Sequence, residues 1–213
     1  MDSVILILLI TVIFSILGWK NANIFNELVF DPNKLHQKFN IFPFITSGFI
    51  HADFFHLAFN MFTFYLFGNL LIDNLNSFFS FLMAQVIFIL LYISALICSI
   101  IPTYFNQKNN QYYRCLGASG AVSAVVFASI LMNPTVQIGL FMLPFYIPSV
   151  IFAPLYLIIT IYLSKNPESG INHSAHLWGS IYGVLFIEIL FYFSQDVNLF
   201  AYFFKVLFGL FSF

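Results

Sequence analysis

The sequence predicts an all-α membrane protein, a bundle of six transmembrane helices followed by a hydrophobic C-terminal helix. Composition is the first reason: 61% of the 213 residues are hydrophobic and only 7% are charged, whereas soluble proteins have about 25% charged residues. The second reason is the spacing of the charges, which leaves uncharged intervals long enough for membrane-spanning helices. One such helix needs roughly 20 mostly apolar residues.

The first half of the chain contains three predicted spans and one long loop. Uncharged intervals that fit one helix each lie at residues 3–19, 54–72 and 74–107. The first interval lacks the basic start and the small-residue cleavage site of a signal peptide, so we interpret it as a membrane anchor. The loop from Lys20 to about Ile50 has no run of span length, and we expect it at the membrane interface.

The second half contains three more predicted spans. Residues 115–164 are uncharged and too many for one crossing. The sequence "MNPT" at 132–135, with Pro144 and Pro148, predicts a break that divides this interval into two helices. The last clear span is predicted at 174–194.

We expect residues 1–195 to form a single membrane domain, because the sequence has no detectable internal repeat, low-complexity tract or second domain. The hydrophobic tail at 196–213 is too short for a comfortable crossing. We interpret it as an interfacial or partly inserted helix.

Polar side chains gather in the first turns of the second, fourth and sixth predicted spans. These spans cross the membrane in the same direction, so their first turns lie on one side. The residues are His51, His56 and Asn60 in "HADFFHLAFN", Ser119 in "GASGAVSAV", and His173 and His176 in "HSAHLWG". Because polar groups inside a membrane are costly and mark functional sites, we expect them to share one pocket.

Small residues at a spacing of four predict that the fourth and sixth helices pack closely. One stripe consists of Gly120, Ala124 and Ala128, and the other of Ala175, Gly179 and Gly183. Ser119 adjoins the first member of one stripe and His176 adjoins the first member of the other. Close packing at that point would bring the hydroxyl within reach of the imidazole.

The predicted pocket favours serine hydrolysis. A serine hydroxyl becomes a nucleophile when a base takes its proton, and histidine suits that task near neutral pH. Ser119 and His176 form the natural pair. The backbone N–H of Ser119 and the side chains of His56 and Asn60 could stabilise the oxyanion that forms on the attacked carbonyl. No acidic residue is well placed to complete a triad, so we predict a Ser–His dyad.

Two other interpretations remain open. The first is a metal site built from His51, His56, His173 and His176, although the HExxH motif of helical zinc sites is missing. The second is a noncatalytic polytopic membrane protein that binds client transmembrane helices or transports a small polar ligand. We interpret Cys98 and Cys115 as free, small hydrophobic residues, His36 as solvated, and His173 as a loop residue.

Three stretches together resemble the signatures of the rhomboid intramembrane serine proteases: "HADFFHLAFNM", "GASGAVSAV" and "AHLWG", in that order. The resemblance covers roughly residues 42–185 and implies a six-helix core. It also implies cleavage of a peptide bond within or next to the transmembrane segments of membrane-protein substrates in the lipid bilayer. No cofactor, metal or nucleic-acid partner is expected.

The resemblance also implies residue roles. Ser119 would be the nucleophile and His176 the base, with His56, Asn60 and the Ser119 N–H as oxyanion donors. Three residues would support them: His51 at the rim of the site, Gly117 in the tight loop before the nucleophile, and Gly120 beside it. The fifth helix, with Pro148 and Pro154, and the loop "KNPESGINH" would act as gate and cap.

The chain departs from the family pattern at two places. The family often has Trp-Arg shortly before the first histidine motif, where this chain has Phe42 and Pro43, so the sequence leaves open what anchors the first loop. Many members also have a tyrosine four residues after the nucleophile that packs on the histidine ring. This chain has Ser123 there, so another group must orient His176.

The basic residues disagree with the family about orientation. Six of the seven lie on the active-site side, namely Lys20, Lys34, Lys38, Lys108, Arg114 and Lys165. The positive-inside rule would make that side cytoplasmic, whereas the resemblance implies a cytoplasmic N-terminus and a site open to the outside. Three of the six charges belong to the long interfacial loop, so we follow the family and expect the cytoplasmic membrane of a bacterium.

Overall fold

The computed structural model describes residues 2–38, 40–139, 146–165 and 170–210. Within these ranges the chain forms α-helices with one short hairpin, which confirms the predicted all-α class. The helices are α1 (Ser3–Lys20), α2 (Ala22–Leu28), α3 (Pro32–Gln37), α4 (Pro43–Thr46), α5 (Phe54–Asn76), α6 (Phe81–Gln107), α7 (Ser119–Met132), α8 (Ser149–Ser164), α9 (His173–Gln195) and α10 (Leu199–Gly209).

Four of the described helices, α1, α5, α6 and α9, are long and apolar enough to cross a membrane. The two helices predicted between residues 115 and 164 are present as α7 and α8, but they have only 14 and 16 residues. Every residue of α7 from Gly120 to Leu131 is buried, because α5, α6 and α9 enclose it. The central helix of the bundle is therefore the one that carries Ser119.

The predicted break between α7 and α8 is a β-hairpin. Strand β1 (Gln137–Gly139) pairs antiparallel with β2 (Tyr146–Pro148). Since α8 begins at Ser149, Pro148 precedes the helix that was predicted as the fifth span, and only Pro154 lies inside it. The third residue of the predicted break, Pro144, lies outside the described residues.

The first loop, residues 20–50, contains α2, α3, α4 and a 3-10 turn at Ser47–Phe49. Its anchor is the segment before α7. Phe30 forms an antiparallel β-bridge with Cys115, and the Arg114 Nε donates to an Asp31 carboxylate oxygen at 3.1 Å. These contacts anchor the first loop, for which the sequence alone indicated no anchor.

The two small-residue stripes meet as predicted. A Cβ placed on Gly179 would overlap the backbone of Gly120, and one placed on Gly183 would overlap the backbone of Ala124. A Cβ on Gly120 would lie 3.3 Å from the carbonyl oxygen of Ala175. Helices α7 and α9 thus touch backbone to backbone, and the contact begins at the turn that carries Ser119.

The C-terminal helix α10 packs against α7, α8 and α9. The backbone N–H of Phe200 donates to the Glu188 carboxylate at 3.1 Å, and Asn198 caps the Ala201 N–H at 2.7 Å. Glu188 therefore stabilises the start of α10, about 18 Å along α9 from His176 at the usual helical rise. Residues 211–213 of the predicted tail lie outside the described residues.

Candidate active site

Ser119 is the first residue of α7, in the first turn of the helix as predicted. Its N–H therefore belongs to the helix-start donors that have no intrahelical partner, at the positive end of the helix dipole. The Ser119 side chain is half-buried. This position gives a bound carbonyl both a hydroxyl and a backbone donor.

Gly117 makes the turn into α7. Its φ is +108°, a conformation that side-chain-bearing residues rarely adopt, and a Cβ there would lie 2.8 Å from the His56 Cε1 and 2.9 Å from its Nε2. Both the backbone and the space require glycine. The loop before Ser119, residues 115–118, thus passes directly against the His56 ring.

His56 and Asn60 lie one turn apart on α5, as the spacing predicts. The Asp53 carboxylate caps this helix by accepting from the His56 N–H at 2.8 Å. The Asn60 amide donates to the His56 carbonyl at 2.9 Å. An amide NH₂ has two N–H groups, and one remains for a ligand.

His176 lies in the first turn of α9, held by a residue that the sequence reasoning missed. The side-chain oxygen of Asn172 accepts from the Ala175 N–H at 3.1 Å, and the backbone carbonyl of Asn172 accepts from the His176 N–H at 3.3 Å. Its amide also donates to Thr103 of α6 at 3.1 Å. The available signal was an asparagine directly before a helical segment, a preferred N-cap residue.

His173 is the aromatic neighbour of His176. The two ring centroids lie 5.8 Å apart with an interplanar angle of 83°, an edge-to-face arrangement. His173 is the first residue of α9 and not a loop residue as expected. The Ser123 hydroxyl instead pairs with the Tyr156 hydroxyl of α8 at 3.4 Å. His173 therefore lies beside His176, whereas Ser123 contacts α8.

Ser119 and His176 lie at the same crossing of α7 and α9, since Gly120 and Ala175 are in near contact there. Among the described residues, no hydrogen bond joins the Ser119 hydroxyl to the His176 ring. Catalytic hydrogen bonds are often long without substrate and tighten in the complex.

His51 is not at the rim of the site, because its side chain is fully buried. Burial, aided by the nearby His56, lowers the pKa of His51 to about 3, so the ring is neutral. Its ring centroid lies 4.9 Å from that of His56. His51 is therefore a buried, neutral neighbour of the site.

A small cavity lies beside Ser119 on the side of α6. Its polar lining includes Ser47, Ser99 and Asn172. Hydroxyl and amide groups of this kind provide the polar partners that a trapped water needs. The arrangement places a small, partly polar cavity next to the candidate nucleophile.

The remaining candidates are not assigned a catalytic role. Cys98 and Cys115 are free, and burial raises the pKa of the Cys115 thiol to about 11, so that thiol is protonated. His36 is exposed on α3. Across the described ranges, no group of three or more His, Cys, Asp or Glu side chains could hold a metal ion. The predicted cap loop includes residues 166–169, which lie outside the described residues.

A sequence model of the rhomboid domain family matches residues 38–193 of the chain. The match covers more than half of the 213 residues and includes α5, α7 and α9, the three helices that supply the site. No curated protein matches the chain.

Proposed function

Because the chain belongs to the rhomboid family, whose members are in general intramembrane proteases, we propose that it is a serine endopeptidase of membrane-protein substrates. The observation that carries this proposal is the convergence at one end of the bundle. The loop before Ser119 touches His56, and the turn with Ser119 touches the turn with His176. A nucleophile, a base and oxyanion donors thus come from three helices that begin at the same face.

In the proposed mechanism, the Ser119 Oγ attacks the scissile carbonyl carbon while the His176 imidazole accepts the hydroxyl proton. The resulting oxyanion receives hydrogen bonds from the Ser119 N–H, the His56 ring and the free N–H of Asn60. His176 then returns the proton to the leaving amine as the peptide C–N bond breaks. Water, activated by the same histidine, hydrolyses the acyl-enzyme and restores the serine.

A serine-reactive fluorophosphonate tests the proposal directly. We expect covalent labelling of the full-length protein in membranes at Ser119, because the probe needs an activated serine next to a base. The alternative function, a noncatalytic binder or transporter, has no need of such a serine. Absence of a covalent adduct on the folded protein would favour that alternative.

We also propose that residues 1–195 form one membrane domain and that the active-site end faces outward in the cytoplasmic membrane of a bacterium. The protein is an integral membrane protein, and its two orientation signals disagree. The resemblance to the family implies that the active-site end lies outside, whereas the six basic residues on that side favour the cytoplasm by the positive-inside rule. This proposal follows the family.

Cysteine accessibility in intact cells measures this orientation. Asn109 and Ser77 are exposed at opposite ends of α6, so each can be replaced by cysteine in a chain whose two native cysteines are changed to serine. A membrane-impermeant thiol reagent should label N109C and spare S77C. The reverse pattern would place the active-site end in the cytoplasm.

The position of Ser119 predicts where substrates are cut. A peptide bond inside a transmembrane helix is protected by that helix's own hydrogen bonds, so the segment must unwind before a serine can reach it. With Ser119 at the start of α7, we expect cleavage near the active-site face, after a small residue such as alanine or serine. A glycine or proline a few residues further into the membrane should accelerate it.

Mass spectrometry of the products from a panel of transmembrane substrates checks this. Replacing the helix-weakening residue by leucine should slow cleavage without moving the cut. Cuts at mid-membrane, or rates that ignore the leucine replacement, would contradict the proposed approach to Ser119.

A further inference from the structure

We propose that Ser15 of the first helix is a positioning residue for the nucleophile, acting through His51 on the backbone turn that presents Ser119. The expected effect on Ser119 rests on the proposed protease function. The contacts that carry it lie outside the catalytic groups, on α1 and on residues 47–51.

The His51 ring bridges α1 and the loop before Ser119. Its Nδ1 lies 3.1 Å from the Ser15 hydroxyl, and its Nε2 accepts from the Ala118 N–H at 3.3 Å. Both His51 and Ser15 are fully buried. Each ring nitrogen therefore has one protein partner and no competing water.

The backbone N–H of Ala118 can only donate, and this fixes the direction of each hydrogen bond that follows from it. The Ala118 N–H is a donor, so the Nε2 that faces it must lack a proton, and the single proton of the neutral ring lies on Nδ1. Nδ1–H then donates to the Ser15 oxygen. The Ser15 hydroxyl donates in turn to the Phe49 carbonyl at 3.2 Å. Every donor in this chain is used once.

Helix α1 also holds the backbone of His51. Trp19, one turn after Ser15 on the same face of the helix, donates from its indole N–H to the His51 carbonyl at 2.7 Å. The ring and the main chain of His51 are thus fixed by one helix. This leaves the imidazole little freedom to follow a movement of the loop.

The loop before Ser119 depends on these contacts because it has few of its own. Ala118 is the N-cap position of α7 and has no capping side chain. Two consecutive N–H groups are held from outside: Gly117 donates to the Ser47 carbonyl at 2.9 Å, and Ala118 donates to His51. The next N–H along the chain is that of Ser119, the proposed oxyanion donor. Losing the His51 bond would free the peptide unit directly before it.

Removal of the Ser15 hydroxyl leaves the buried Nδ1–H without an acceptor. The ring can then exchange to the other tautomer, whose Nε2–H would oppose the Ala118 N–H. An unsatisfied buried polar group destabilises the arrangement that contains it, and a displacement of about 1 Å at a catalytic group can cost on the order of 100-fold in rate. We therefore expect Ser15→Ala to slow fluorophosphonate labelling of Ser119 by on the order of tenfold or more.

Ser129→Ala is the matched control. Ser129 is also fully buried and donates to carbonyl oxygens, at 3.0 Å to Phe67 of α5 and at 2.8 Å to Val125. It lies in the nucleophile's own helix, about 15 Å from Ser119 at the helical rise. We expect it to lower thermal stability as Ser15→Ala does but to be labelled near the wild-type rate. Equal labelling of the two variants, whether fast or slow, would overturn the positioning role.

A second measurement does not depend on activity or on a folded Ser15 variant. In the full chain labelled with ¹⁵N-histidine, the ring signals of His51 are identified by their loss in His51→Gln. We expect the proton on Nδ1, opposite to the preference of a free imidazole in water; a proton on Nε2 would overturn the proposed chain. If the wild type is not labelled by the fluorophosphonate, the protease proposal fails, while the tautomer of His51 still decides whether Ser15 orders the loop.

Discussion

Ser119→Ala is expected to abolish cleavage of a transmembrane substrate while the protein remains inserted and folded. The change removes one oxygen from a half-buried position. Among the described residues, the Ser119 hydroxyl has no hydrogen-bond partner to lose, so the substitution leaves no unsatisfied group and no large void. The chemistry, in contrast, loses its nucleophile. In serine hydrolases that loss lowers kcat by on the order of 10⁶.

Ser123→Ala is the control for this result. Ser123 lies one turn further along α7, and its hydroxyl meets Tyr156 instead of the site. This variant should retain activity, and both variants should melt close to the wild-type temperature in the same detergent. Substrate turnover by Ser119→Ala near the wild-type rate would show that another group attacks the peptide bond.

Much of the fold could be predicted because membrane helices are determined by where charges are absent. The predicted intervals end within one residue of the ends of α1 and α9, whereas α5 ends four residues later than predicted and α6 begins seven residues later. The prolines after α7 located a break but not its hairpin, since three-residue strands have too short a pattern to detect. The lengths of α7 and α8 were also not predictable from uncharged residues, because an apolar sequence can continue beyond the helix that it forms.

The catalytic candidates could be found because chemistry restricts residue type and because alternate spans begin on one side. The residues that hold these candidates in place could not be found in the same way. Asn172 gathers groups from α6 and α9, and His51 meets Ser15 from 36 residues away in the chain. Such contacts depend on how helices pack, and a lone serine in an apolar helix has no periodic signal. The misplacement of His51 at the rim has the same cause.

His173 is the aromatic neighbour of His176 in a chain that lacks the tyrosine usual in the family at the position of Ser123. The residue four positions after the nucleophile cannot stack on His176, because Ser123 is small and is paired with α8. We propose that the edge-to-face ring of His173, three residues before His176 on α9, takes that place. The sequence alone shows that the usual aromatic residue is missing at Ser123. The ring beside His176 could be identified only once α9 was known to begin at His173.

His176→Ala should be as damaging as Ser119→Ala, and the two losses should not add. A serine without its base and a base without its serine are both inactive, so the double variant should retain about the same residual activity as either single variant.

Asn60→Ala should behave differently. Its amide supplies one of several oxyanion donors, and its other N–H is held by the His56 carbonyl, so we expect a loss on the order of 10²–10³ with activity still measurable.

Single-turnover cleavage of one substrate by the four variants measures these differences, and fluorophosphonate labelling separates attack from substrate binding. His176→Ala should not be labelled, because an unactivated Ser119 reacts no faster than an ordinary serine. Asn60→Ala should be labelled slowly, since the phosphonyl oxygen also draws on the oxyanion donors. Complete loss at both His176 and Asn60 would contradict the separate roles of base and donor. Additive losses in the double variant would show that Ser119 and His176 do not act as one unit.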